Sequence, residues 1–127
     1  MALRAFPILY ARHVEALAAF YVSLGYERAT EVPGEDGGIG YVGLLRGDDH
    51  LGIATEESPV VLAGVQPGPG PRHEMFVYVD DLDAAIREVT AAGAKVLRPP
   101  VDMVWGERIA FVQDPEGNMV SLAQAAG

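Results

Sequence analysis

The stretches 10–29 and 78–97 repeat one another without a gap at an offset of 68 residues, the distance from Tyr10 to Tyr78. At that offset Val14 meets Leu82, Glu15 meets Asp83, Ala16 meets Ala84, Ala18 meets Ile86, Tyr21 meets Val89 and Gly25 meets Gly93. The Tyr, Ala and Gly pairs are identities, and the others keep apolar or acidic character. Self-similarity at a fixed period constrains architecture before any local structure is read. It predicts two copies of one module of roughly sixty residues, with a site where the copies meet.

Each copy opens on an extended run, Ala5 to Ala11 and His73 to Val79, rich in aromatic and β-branched residues. The period then changes: Val14, Leu17, Ala18, Tyr21 and Leu24, like Leu82, Ala85, Ile86 and Val89, recur at the three- and four-residue spacing of an amphipathic helix. Gly25 and Gly93 stand where such a helix ends in a left-handed residue. Asp80 or Asp81 is fit to cap the second helix, whereas Arg12-His13 offers the first a poorer start. Three more strands follow each helix: 26–32, 39–46 and 50–55, then 95–98, 105–113 and 119–124. The expected fold is α+β, a tandem βαβββ chain in a single domain 1–127, with module one at 1–57, a linker at 58–72 and module two at 73–127. Gln66 to Arg72, with three prolines and two glycines, reads as a stiff extended connector.

Composition narrows the function. There is no cysteine, which excludes disulfides, thiolate metal sites and a cysteine nucleophile. Eighteen acidic residues against nine basic ones give a net charge of −9, a field that repels nucleic acid and anionic membranes and favours a cationic ligand. No signal peptide and no bilayer-spanning run is read, so a cytoplasmic protein is expected. No Ser-His-Asp set and no phosphate-binding loop is present.

The run His13 to Tyr21, then Leu24-Gly25-Tyr26, and the turn Asp114-Pro-Glu-Gly-Asn118, set in a tandem βαβββ order, resemble the vicinal-oxygen-chelate superfamily of glyoxalases, bleomycin-resistance proteins and dioxygenases. Ala5 to Arg12 and Trp105-Gly-Glu-Arg108 look most like the bleomycin-resistance branch. The resemblance implies that each module curls a small sheet, that the sheets form a cup with helices on the outer face, and that metal-using members place a ligand on the first and last strand of each module. Carried over, those positions are Phe6, Gly52, Glu74 and Ser121. Glu74 alone offers a carboxylate, and catalytic ions of this kind need about three protein ligands. No metal or other cofactor is therefore expected.

Strand alternation directs Pro7, Leu9 and Ala11, with Met75, Val77 and Val79, toward the helices. The opposite faces carry Phe6, Ile8 and Tyr10, and Glu74, Phe76 and Tyr78. His50 shares its side with Gly52, either as a binding residue or as a solvated histidine beside a turn. Aromatic faces stack planar molecules and attract cations. The same faces would also serve to pack a second subunit. Trp105, the sole tryptophan, is expected either to overhang the cup, as the resistance-type relatives imply, or to pack in the core. Glu107 and Arg108 are expected to pair with each other or with loop charges. The resulting expectation is a homodimer that sequesters a planar or cationic antibiotic of the bleomycin type without turnover. The alternative is a metal-dependent isomerase, lyase or dioxygenase of the same superfamily.

Overall fold

The computed structural model describes residues 6–70 and 74–125. It divides into two units, Met1–Gly68 and Pro69–Gly127. In the first, the strands β1 (Ile8–Ala11), β2 (Glu27–Pro33), β3 (Ile39–Arg46) and β4 (Asp49–Thr55) form one sheet in the order β1-β4-β3-β2, and the helix α1 (Val14–Val22) follows β1. After α2 (Glu57–Ala63), the second unit repeats the scheme with β5 (Glu74–Tyr78), α3 (Leu82–Ala91), β6 (Lys95–Asp102), β7 (Arg108–Gln113) and β8 (Met119–Gln124), in the order β5-β8-β7-β6. Both sheets are mixed, because the first and last strands of each unit run parallel while the other pairs are antiparallel.

The register carries the repeat through both sheets with two changes of offset: β6 takes up an extra residue between Arg98 and Val101, and a further residue enters ahead of the last strand. Tyr41 pairs with Ala54 and Ile109 with Ala123, so the offset is 68 at the third strand (Tyr41 to Ile109) but 69 at the fourth (Ala54 to Ala123). This further residue lies in the turn Asp114–Asn118. There the buried Asp114 carboxylate accepts from the backbone N–H groups of Glu116 and Asn118 and from the Asn118 side chain, all at 2.8–2.9 Å. One carboxylate thus satisfies donors that a longer reversal leaves without strand partners.

Helices α1 and α3 each cover one face of their own sheet. Leu17, Phe20 and Tyr21 of α1 are fully buried with Val42, Leu44, Leu51 and Ile53, each large side chain contributing about 1.5–3 kcal/mol of burial. In the second unit Leu82, Ala85 and Val89 meet a sheet whose buried residues include Val112, Val120 and Leu122. Ile86 is only half buried. The Asp81 side chain caps α3 by accepting from the Ala84 N–H, while His13 makes no side-chain cap on α1. Both helices end at a left-handed glycine, Gly25 (φ 97°) and Gly93 (φ 101°).

Three expectations are corrected. Residues 58–63, placed in the linker with no helix expected there, fall in α2: Pro59 lies in its first turn, where a missing N–H is not missed, and Gly64 closes it in the left-handed conformation. Pro7 is exposed rather than core, because β1 begins at Ile8 and Pro7 contributes only its carbonyl, which accepts from Gly52 N–H at 2.9 Å. Strand β7 begins at Arg108, leaving Trp105 in the preceding turn. His73, expected to open the second module, lies outside the described residues.

Candidate functional site

Across the open face of the second sheet, opposite α3, the register sets three rows. Glu74, Met119, Gln113 and Lys95 form the first; Phe76, Ser121, Phe111 and Arg98 the second; Tyr78, Ala123, Ile109 and Val101 the third. The row positions nearest β5 are those that alternation directed away from the helix. Phe76 is 45% exposed and Tyr78 50%, with their rings edge to face at 5.4 Å. Ser121 is buried and donates its hydroxyl to Glu74 Oε1 at 2.9 Å.

The third row ends in a cluster centred on Glu107. The Tyr78 hydroxyl donates to Glu107 Oε2 at 2.6 Å, and the Trp105 indole Nε1–H donates to Oε1 at 2.8 Å. Both hydrogen bonds favour the ionised carboxylate, so the Glu107 pKa is lowered, first by Tyr78 and then by Trp105. Tyr78 is shifted the other way: its proton is held by the Glu107 hydrogen bond, and the neighbouring charge opposes phenolate formation. A tight turn presents the group, with Met103 N–H donating to the Glu107 carbonyl at 2.8 Å and Gly106 at φ 100°. Trp105 is 61% exposed, which decides against core packing. Arg108 does not pair with Glu107; its guanidinium lies 3.9 Å from Asp102. Glu107 is thus a member of the candidate site that strand alternation missed. It precedes β7, and only the turn brings it over Tyr78.

The first sheet has the same three rows with different occupants. Phe6 stacks on His50 with centroids 3.7 Å apart and planes 19° from parallel, so His50 is half buried against a ring rather than freely solvated. Ile8, Gly52, Gly43 and Thr30 form the middle row, and Tyr10, Ala54, Tyr41 and Val32 the third. The two adjacent glycines leave a trough that Tyr41 fills: a Cβ at Gly52 would stand 2.8 Å from its hydroxyl and 3.1 Å from Ile8 Cγ1. Ile8 and Tyr10 are each 45% exposed.

The four metal-ligand positions implied by the resemblance can be tested against this donor set. Phe6 and Gly52 offer no side-chain donor, and Ser121 already spends its proton on Glu74. Among the described residues no group of three or more His, Cys, Asp or Glu side chains could hold an ion. These residues do not fit a divalent metal centre of the superfamily type. Among them, too, no helix is long and apolar enough to cross a membrane.

Comparison with known proteins places this architecture. Glyoxylase candidate CFP32 of Mycobacterium bovis is 34% identical over 113 residues, 87% of this chain and 41% of that protein, so the chain spans about two fifths of its relative's length. A bleomycin-binding protein solved in complex with bleomycin shares the fold with a TM-score of 0.61 at 24% identity, over 98% of this chain and 99% of its own. Lactoylglutathione lyase from Agrobacterium tumefaciens does so with a TM-score of 0.69 at 21% identity, over 97% and 94%. The family model for the glyoxalase/bleomycin resistance protein/dioxygenase superfamily matches residues 5–122. With both modules covered by that match, and with βαβββ repeated in the same strand order, the chain belongs to the glyoxalase/bleomycin resistance protein/dioxygenase superfamily.

Proposed function

We propose that this protein binds a planar organic cation, of the kind found in bleomycin-type antibiotics, on the open aromatic face of its second sheet, and protects by occupancy without turnover. The observation that carries the reading is the Tyr78–Glu107–Trp105 cluster: an exposed indole and an exposed phenol held by one ionised carboxylate. An indole face attracts a cation through its quadrupole, and the hydrogen bonds keep the rings oriented before a ligand arrives. Phe76 extends the apolar surface, and Glu74 adds a second carboxylate in the first row. The register sets Lys95 and Arg98 in the first and second rows only, so the cationic end of a ligand is assigned to the Glu107 end of the face. Phe6, Ile8, Tyr10 and His50 supply the corresponding aromatic and apolar surface of the first sheet, and Ser121 fixes Glu74.

Titrating bleomycin and smaller planar cations while following Trp105 fluorescence tests this. Saturable quenching or a shifted emission is expected, with an association rate that falls as salt rises. An emission indifferent to these ligands sinks the reading. The likeness in fold to a lyase supports a second one, a metal-dependent isomerase, lyase or dioxygenase whose ligands lie outside the four positions carried over from the resemblance. Stoichiometric Zn, Ni, Mn or Fe in the purified protein, with activity lost on chelation, would favour it over binding alone.

A further inference from the structure

We propose a second ligand site, in the first unit, for a small amphiphilic cation. It is a cavity of about 560 Å3 between the β2–β3 hairpin and α2, within the range that holds small organic ligands. Its lining combines apolar Val32, Tyr41, Val61 and Leu62 with the acidic Glu35 and Glu57. None of the aromatic residues assigned above to ligand binding lines it.

Three features make this a built site rather than a surface irregularity. The hairpin neck is closed by two glycines packed backbone to backbone: a Cβ at Gly40 would come within 3.0 Å of Gly34 Cα. The wall beside α2 therefore depends on glycine at the neck. Tyr41 lines the cavity from the sheet side, and its ring is seated in the trough over Gly43 and Gly52. On the other side α2 leaves Val61 70% and Leu62 81% exposed at the cavity, although its Pro59 is buried. Adjacent large apolar side chains left wet beside a cavity mark a binding surface.

Charge selects the occupant. The lining residues include Glu35, Asp36 and Glu57 and no Lys, Arg or His. Asp36 is used by its own loop, accepting from Gly38 N–H at 2.9 Å. Glu35 and Glu57 have no side-chain partner among the described residues, so two carboxylates stand among the lining of a largely apolar cavity. An organic ammonium with one aromatic or branched apolar group meets both walls.

The test titrates benzyltrimethylammonium into the 15N-labelled full chain and follows the amides of Gly34, Gly40 and Leu62, with the Trp105 indole N–H as the reporter of the aromatic face. Saturable shifts at the three amides are expected. Affinity should fall about three- to tenfold in the Glu35→Gln/Glu57→Gln double variant, and severalfold in Leu62→Ser, whose exposed position spares the fold. Trp105→Ala should leave these shifts unchanged, so this site can stand or fall without the other. Equal binding of the net-neutral N,N-dimethylbenzylamine N-oxide would overturn the cation assignment. Absence of shifts at millimolar probe, shifts at the indole alone, or shifts of the three amides on dilution without probe, the mark of a second copy seated there, would overturn the site.

Discussion

The phenol of Tyr78 and the carboxylate of Glu107 meet at 2.6 Å although 29 residues separate them in the chain. The strand between β5 and β7 is β8, and at this row it carries only Ala123. The turn at Met103–Gly106 brings the carboxylate to the phenol and leaves its second oxygen for the indole of Trp105. The aromatic face is therefore organised by one anion, which also attracts the proposed ligand.

Replacing Trp105 with alanine should weaken binding of a planar cation by about 1–3 kcal/mol, since stacking is lost only from the complex. Folding stability should change by less than about 1 kcal/mol, because a residue 61% exposed leaves no cavity behind. Calorimetric titration alongside urea denaturation separates the two effects. A loss of several kcal/mol in stability would contradict the exposed placement.

The cluster should hold over a defined pH window. Glu107 has a pKa lowered from its ordinary 4.5, so its contribution is present above that value and disappears as pH falls through the lowered one. Tyr78 has a pKa raised from 10.0, so its contribution is present below 10.0 and declines as pH climbs through the raised value. Trp105 emission should be flat between these limits and change at both ends, and Glu107→Gln should abolish the acid transition. An emission step near neutral pH would mean that another group controls the indole.

Gly52→Ala should destabilise the protein by about 1–3 kcal/mol, because the added methyl meets the Tyr41 hydroxyl at 2.8 Å and Ile8 Cγ1 at 3.1 Å. Combining it with Tyr41→Ala should recover part of that loss, a coupling that a double-mutant cycle reads directly. Additive losses would show that the trough does not seat the ring.

Asp114→Ala should cost on the order of 2–3 kcal/mol, since it strands the N–H groups of Glu116 and Asn118 that one buried carboxylate serves. Asp114→Asn should retain part of the stability, because its carbonyl oxygen still accepts. Chemical denaturation of the three proteins gives the ranking.

A homodimer is proposed from the apolar residues that both sheets leave open, among them Ile8, Tyr10, Phe76 and Tyr78. Sedimentation at micromolar concentration should return about twice the 13.5 kDa chain mass. A monomer would leave those side chains to the ligand alone.

The repeat, both amphipathic helices, the left-handed glycines and the parity of the open faces were legible in the sequence, because each depends on local periodicity or on one residue's backbone freedom. Strands Ile39–Arg46 and Met119–Gln124 fall where alternation put them. Helix α2 was concealed by its proline, although a proline in the first turn and a glycine just past the end are themselves helix signals. Other features are decided by contacts between residues far apart in the chain. No periodicity brings Glu107 to Tyr78, stacks Phe6 on His50 or lays Tyr41 over Gly52; these follow from strand order and from turns that carry side chains across a neighbouring strand. Sequence alone determined which face of each sheet is open, since alternation is a property of the single strand. Tertiary structure decided which side chains meet on that face, since such meetings depend on the pairing of several strands at once.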